Sequence, residues 1–205
     1  MRKFIISIDA GTTSNRSILF DLKGKPVFSS QKEFTQYFPK SGWVEHDPDE
    51  IWRTTVKTLK DVIQKAKKLR GNILSIGITN QRETTVLWDK RTGKPVYNAI
   101  VWQDRRQEEF CAKLRKQNKD TMIFNKTGLL IDSYFSGTKI KWILDNVPKA
   151  KKLMNSNQLL FGTIDSFLIW RFTKGKVHAT DATNASRTMI YNISSNKWDD
   201  AILKL

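Results

Sequence analysis

The residues best suited to chemistry lie in the first turn of the sequence, between two apolar runs. One run begins at Ile5 and ends in Asp9, and the turn then reads Gly11-Thr12-Thr13-Ser14, followed by Arg16. Gly11 has no Cβ to hold a phosphate away from the backbone. Successive backbone N–H groups of a turn form an anion-binding concavity, and the arginine adds a bidentate cation. The turn therefore suits the terminal phosphates of a nucleotide, and Asp9 suits their magnesium ion.

An ordinary hairpin explains the same turn, because Gly, Asn and Ser are common turn residues. Two nucleotide-binding loops are excluded. No Gly-Lys-Ser/Thr follows, and the next element reads as a strand where a P-loop or a dinucleotide fingerprint requires a helix.

A second polar cluster follows an apolar run at residues 73–79. There Arg82 and Glu83 place opposite charges side by side at a strand end, where ligands collect in open α/β sheets. Such residues can donate to and accept from vicinal hydroxyls. The alternative is a solvent-exposed ion pair of little energetic value.

Two aromatic residues, Trp102 and Tyr134, stand next to polar turns farther along the chain. An indole face covers C–H edges and a phenol bonds a hydroxyl, so the two could wall a pocket for a small polyol. Core packing is the alternative for both. His46 and His178 lack metal-ligand spacing, and the sequence supports no Ser-His-Asp or Cys-His arrangement.

Composition narrows the class of protein. The chain has 205 residues, a net charge of +16 and one cysteine, Cys111, which we expect to be an inert buried thiol in a cytoplasmic protein. No apolar stretch approaches the ~20 residues of a transmembrane helix. The lysines are spread along the chain without interleaved aromatics, which favours a solvated basic surface over nucleic-acid binding.

The elements that must position these residues follow from periodicity and turn signals. Residues 3–36 read as three strands with tight turns at 11–14 and 23–26, of which the first strand is central. A helix starts after its N-cap Asp47, with Glu50 completing a capping box, and ends at Gly71. A buried strand at 73–79, a strand at 84–88 and helices at 104–117, 136–147 and 163–172 complete a mixed α/β sheet flanked by helices.

Taken together, these segments resemble the FGGY family of carbohydrate kinases, and within it the members that phosphorylate glycerol. The resemblance runs from Ile5 to about Trp198 and is densest at residues 9–14, 42–48, 76–85, 98–106, 134–136, 139–146, 161–166 and 181–189. The opening turn is shared by many sugar kinases. The run from Asn80 to Glu83, together with Trp102 and Tyr134, points to glycerol.

The resemblance implies an actin-like, ribonuclease-H-like ATPase fold with N-terminal antiparallel hairpins, and phosphoryl transfer from MgATP to glycerol. It implies that Thr12, Thr13, Ser14 and Arg16 face the nucleotide phosphates and that Asp9 approaches the magnesium. It also implies that Arg82, Glu83 and Tyr134 hydrogen-bond the glycerol hydroxyls while Trp102 packs on the carbon chain. We expect both groups of residues to converge on one crevice.

Members of this family are much longer than 205 residues and carry a second domain with the adenine site and the catalytic aspartate. We therefore expect residues 1–205 to form the N-terminal kinase domain, with the C-terminal domain and its base aspartate outside this chain. By itself the chain should be inactive, and the complete protein should be a homo-oligomer. The alternatives are a kinase for another polyol or sugar, an actin-like ATPase with a non-metabolic role and, least favoured, a nucleic-acid-binding module.

Overall fold

The computed structural model describes residues 2–205 and divides into two compact units. The first unit contains residues 2–36 and His46–Gln81, and the second contains Tyr37–Glu45 and Arg82–Leu205. The strands are β1 (Arg2–Ala10), β2 (Ser14–Asp21), β3 (Pro26–Glu33), β4 (Glu45–His46), β5 (Gly71–Asn80), β6 (Thr85–Asp89), β7 (Ala99–Ile100), β8 (Leu159–Thr163), β9 (Tyr191–Asn192) and β10 (Lys197–Trp198). The helices are α1 (Pro48–Lys68), α2 (Glu108–Lys116), α3 (Asp120–Thr127), α4 (Ser136–Asn146), α5 (Pro148–Asn155), α6 (Ile164–Phe172), α7 (Ala182–Ala185) and α8 (Asp200–Leu203).

The first unit is built on a four-stranded sheet of order β3-β2-β1-β5. Strand β1 is central, as predicted, and pairs antiparallel with β2 and parallel with β5. The three predicted N-terminal strands and their two turns are confirmed. The register places Asp9 opposite Arg16 on one side and opposite Thr79 on the other.

Helix α1 packs on this sheet through both apolar and polar contacts. The Asp47 side chain caps it by accepting from the backbone N–H of Asp49 at 2.8 Å, as the sequence predicted. Asn15 donates from Nδ2 to the Ile51 carbonyl at 2.9 Å. The predicted capping box does not form, because the Glu50 carboxylate accepts from the backbone N–H and hydroxyl of Thr35 instead.

Two predictions about the following segment are wrong. Gly71 does not end the helix: Leu69 is the C-cap, Arg70 takes the left-handed conformation (φ 52°), and Gly71 opens β5. The strand is also largely exposed rather than buried, with Leu74 at 51% and Ile76 at 45% exposure. Its apolar run predicted a buried strand, but β5 is an edge strand of the sheet formed by the described residues.

The second unit contains β6, β7, β8 and Glu45 of β4, which belong to a four-stranded sheet of order β4-β7-β6-β8. Every residue of β6 is buried. The predicted helices at 136–147 and 163–172 are confirmed as α4 and α6. Short helices α3, α5 and α7 were not predicted. Across residues 2–205, no helix is both long enough and apolar enough to cross a membrane.

The predicted helix at 104–117 starts four residues late, at Glu108. The Asp104 carboxylate accepts from the Val44 backbone N–H at 2.7 Å and from the buried Arg106 guanidinium at 2.7 Å. Arg106 also contacts the Trp43 ring, 3.7 Å from its centroid. These contacts hold residues 104–106 in a turn, which helical periodicity could not indicate.

Candidate active site

The turn at residues 11–14, called here the phosphate turn, joins β1 to β2 in the first unit. The Gly11 N–H donates to the Ser14 carbonyl at 3.0 Å. A Cβ on Gly11 would lie 3.2 Å from that same carbonyl oxygen, so the tight turn favours glycine. The Ser14 hydroxyl accepts from Gln31 Nε2 at 2.8 Å, which leaves its own proton to donate. Thr13 is exposed, and Thr12 and Ser14 are half-buried.

Asp9 and Arg16 flank the phosphate turn and pair with each other across β1 and β2. Arg16 Nη2 lies 3.0 Å from Asp9 Oδ2, and the side chains are 46% and 37% exposed. An ion pair this exposed contributes little stability. Breaking this pair therefore costs little free energy, so Asp9 and Arg16 can each bind a ligand instead.

The chemistry of this donor set fits a nucleotide phosphate with magnesium. Hydroxyl groups, a backbone turn and one arginine supply donors to phosphate oxygens. Residues 2–205 contain no group of three or more acidic, histidine or cysteine side chains that could cage a metal. Magnesium suits a site of this kind, because it is usually held by one or two carboxylates together with water and substrate phosphates.

In the second unit, Arg82 and Glu83 do not pair with each other. The Glu83 side chain is buried and its Oε1 accepts from Arg187 Nε at 2.6 Å. The Arg82 side chain is exposed, and the described part of the chain offers it no hydrogen-bond or ion-pair partner. The alternative of an exposed Arg82–Glu83 ion pair is therefore wrong. One carboxylate is held in place, and one guanidinium is free to meet a ligand.

Trp102 and Tyr134 meet, as the polyol-pocket interpretation requires. Their ring centroids lie 5.4 Å apart with the planes inclined at 55°, and both rings are half-buried. The Trp102 N–H of the backbone donates to Thr84 Oγ1, which ties this residue to the segment just after Glu83. Half-burial leaves part of each ring available to a ligand, which full core packing would not.

Residues 132–135, called here the Tyr134 loop, are fixed by a lysine that sequence reasoning missed. Lys139 is fully buried, and its ammonium donates to the carbonyls of Ser133 and Tyr134, each at 2.6 Å, and of Phe135 at 3.3 Å. Burial lowers the pKa of Lys139 to about 7. Sequence patterns normally assign a lysine in a helix to the solvent face. Only the structure shows that the Lys139 side chain points inward and binds the Tyr134 loop.

Arg187 is the second residue that was missed. Its guanidinium joins Glu83, 104 positions away, to the Tyr134 ring. No local pattern signals such a partner. The remaining prediction about a reactive group is confirmed: Cys111 is buried, and burial raises the pKa of its thiol to about 12.

The second unit thus brings together Glu83, Trp102 and Tyr134, and the first brings together Asp9, Arg16 and the phosphate turn. That the two groups converge on one crevice stays a prediction. Comparison with known proteins places these residues in a family. Residues 4–205 match the N-terminal domain of the FGGY carbohydrate kinases.

The chain belongs to the FGGY family of carbohydrate kinases.

Curated relatives from this family include glycerol kinases. The chain is 61% identical over 204 residues to that of Malacoplasma penetrans and 59% identical to that of Petrotoga mobilis. All of this chain is covered, against 40% and 41% of those two relatives. The chain therefore spans about two fifths of the length of the curated relatives it matches.

Solved structures confirm the predicted fold. The Plasmodium falciparum glycerol kinase with ADP superposes with a TM-score of 0.94 at 38% identity, covering 99% of this chain and 40% of that one. The gluconate kinase of Lactobacillus acidophilus gives 0.86 at 27% identity, covering all of this chain and 39% of that one. The actin-like architecture of FGGY sugar kinases is thus the fold of this chain.

Proposed function

We propose that the protein containing this chain transfers the terminal phosphoryl group of MgATP to glycerol, giving glycerol 3-phosphate. The observation that carries the proposal is the arrangement around Glu83. A buried carboxylate lies one residue from an exposed guanidinium, and the Trp102–Tyr134 pair joins it through Arg187. A carboxylate acceptor, a guanidinium donor and an aromatic wall can together bind the hydroxyls and the carbon chain of a three-carbon polyol. The identity of about 60% to the glycerol kinases supports the same acceptor.

The phosphate turn would hold the nucleotide. Thr12, Thr13 and Ser14 would donate hydroxyl hydrogen bonds to phosphate oxygens, and Arg16 would add a charge-assisted contact. Asp9 would hold magnesium, which neutralises charge on the phosphates when it is bound. Each of these side chains is at least partly accessible in the described structure.

Glycerol would be held by side chains of the second unit. Arg82 would donate hydrogen bonds to hydroxyl oxygens, Glu83 would accept hydrogen bonds from hydroxyl groups and Tyr134 would also hydrogen-bond a hydroxyl. Trp102 would cover the C–H edges of the carbon chain. The contribution of these residues to the rate is orientation of the attacking hydroxyl, because phosphoryl transfer depends mainly on positioning and charge neutralisation.

The general base of this reaction would be an aspartate outside these 205 residues, in a C-terminal domain that also holds the adenine. We infer a homo-oligomer for the complete protein. We also infer a cytoplasmic location, in keeping with the single buried cysteine and the use of ATP.

The test is a pair of arginine variants in the complete gene product that contains this chain. Arg82→Ala should lower kcat/KM for glycerol by roughly 10- to 150-fold, since a hydrogen bond from a charged group is worth about 1.5–3 kcal/mol. The KM for ATP should not change. Arg91→Ala is the matched control, because Arg91 is exposed and its side chain pairs with Asp89 at the end of β6.

Three outcomes would contradict the proposal. Unchanged glycerol kinetics in Arg82→Ala would remove Arg82 from the site. Faster phosphorylation of another polyol or sugar would reassign the acceptor. ATP hydrolysis indifferent to glycerol would favour an actin-like ATPase.

A further inference from the structure

Hydrogen bonds hold the backbone of Glu83, whereas a different contact orients its carboxylate. Glu83 has the left-handed conformation, with φ 65°. Its carbonyl accepts from Thr85 Oγ1 at 2.9 Å and from Ser136 Oγ at 3.0 Å. The side chain is only 2% exposed. Two hydroxyls thus hold the backbone of this non-glycine residue in a conformation that few such residues adopt.

One guanidinium determines where the Glu83 carboxylate points. Arg187 Nε donates to Glu83 Oε1 at 2.6 Å, and no other described side chain bonds this carboxylate. A buried carboxylate without a cation is costly. Arg187 reduces that cost through Oε1 alone, and the described side chains give Oε2 no partner.

The same guanidinium contacts the aromatic part of the site. Its central carbon lies 5.6 Å from the centroid of the Tyr134 ring and 5.0 Å from that of Phe135. At these distances a cation is attracted to a ring face. Arg187 therefore fixes an acidic and an aromatic residue relative to each other, although they are 51 positions apart in sequence.

Arg187 is itself held by the polypeptide that follows α7. Its backbone N–H donates to the Asn184 carbonyl at 3.1 Å, and the Asp181 side chain caps the helix through the Asn184 N–H. The next residue, Thr188, accepts at its carbonyl from the Gly137 N–H of α4 at 2.7 Å. The backbone that carries the Arg187 guanidinium is therefore held in place, so the guanidinium can hold Glu83 and Tyr134 in place in turn.

We propose that Arg187 is a positioning residue for the acceptor substrate: it orients the Glu83 carboxylate and the Tyr134 ring so that both meet the same polyol. This inference rests on the proposed function. A planar guanidinium is needed, because it bonds the carboxylate through Nε while its face lies against the rings, and a lysine ammonium cannot do both.

The test uses Arg187→Met and Arg187→Lys in the complete gene product, with Arg91→Met as the control. In Arg187→Met the KM for glycerol should rise by roughly 10- to 50-fold while the KM for ATP stays within about twofold. Arg187→Lys should recover part of this loss through its charge. The effects of Glu83→Gln and Arg187→Met should be less than additive, because each removes the same ion pair.

A merely structural role would lower the melting temperature and leave the KM for glycerol unchanged, and that result would overturn the inference. If Arg187→Met does not fold, Arg187→Lys decides: a folded lysine variant with wild-type KM for glycerol also overturns it. Wild-type protein without glycerol-dependent ADP formation would instead refute the proposed function. Active wild-type protein with an insensitive Arg187 would refute this inference alone.

Discussion

Raising the pH should stabilise this protein through Lys139. The folded chain holds the ammonium in a fully buried position, and burial lowers its pKa from 10.5 to about 7. The carboxylates of Asp104, Glu83 and Asp132 oppose this shift, and the Cys111 thiol stays neutral below about pH 12. Between pH 7 and 10.5 this side chain binds more protons in the unfolded chain than in the folded one, so its contribution to the free energy of unfolding rises with pH.

The size of the effect follows from the pKa difference. One pKa unit corresponds to about 1.4 kcal/mol, so the contribution of this lysine can rise by at most ~1.4 kcal/mol per pH unit. Below pH 7 the contribution should be constant. The carbonyls of Ser133 and Tyr134 keep hydrogen-bond donors throughout, because a neutral amine still carries two N–H groups.

The assay is urea unfolding from pH 6 to 10 of the 205-residue chain and of Lys139→Met. The difference in unfolding free energy between the two removes the titration of all other groups. Lys141→Met is the matched control, since Lys141 lies on the same helix but is only half-buried, with its side chain 38% exposed and paired with Asp145. A wild-type minus Lys139→Met difference that stays flat, or falls with pH, would refute the reasoning.

Acid should destabilise the first unit through His46, because burial lowers the pKa of this histidine from 6.5 to about 4. Between these values the histidine binds more protons in the unfolded chain, so the free energy of unfolding should fall as the pH drops from 6.5 to 4. His46→Gln should flatten this limb in urea titrations, and an unchanged limb would exclude His46 as its source. Gly71→Ala should cost about 1–3 kcal/mol of stability, because its Cβ would lie 2.1 Å from the Phe4 ring. Gly77→Ala on the same strand meets nothing within 4 Å, and an equal loss in both variants would point to strand propensity instead.

Much of the fold could be predicted because its signals are local. The alternation of the N-terminal strands, the turn at residues 11–14 and the Asp47 cap each depend on a few neighbouring residues, and all are confirmed. Helix α2 begins four residues later than its periodicity predicts. The Asp104 carboxylate bonds Val44 and Arg106, and these contacts keep residues 104–106 in a turn. Strand β5 was predicted as buried because an apolar run does not reveal which strand lies at an edge.

The sequence by itself determined the residue types of the candidate site and their order along the chain: a phosphate turn beside Asp9, then Arg82 and Glu83, then Trp102 and Tyr134. Only the tertiary structure decided which of these residues touch. Glu83 pairs with Arg187 and not with its neighbour Arg82, and Lys139 points inward to hold the Tyr134 loop. The physical reason is that turns and periodicity follow from local backbone preferences. A buried charge needs a partner in place of its lost hydration, and packing between distant segments decides which residue that partner is.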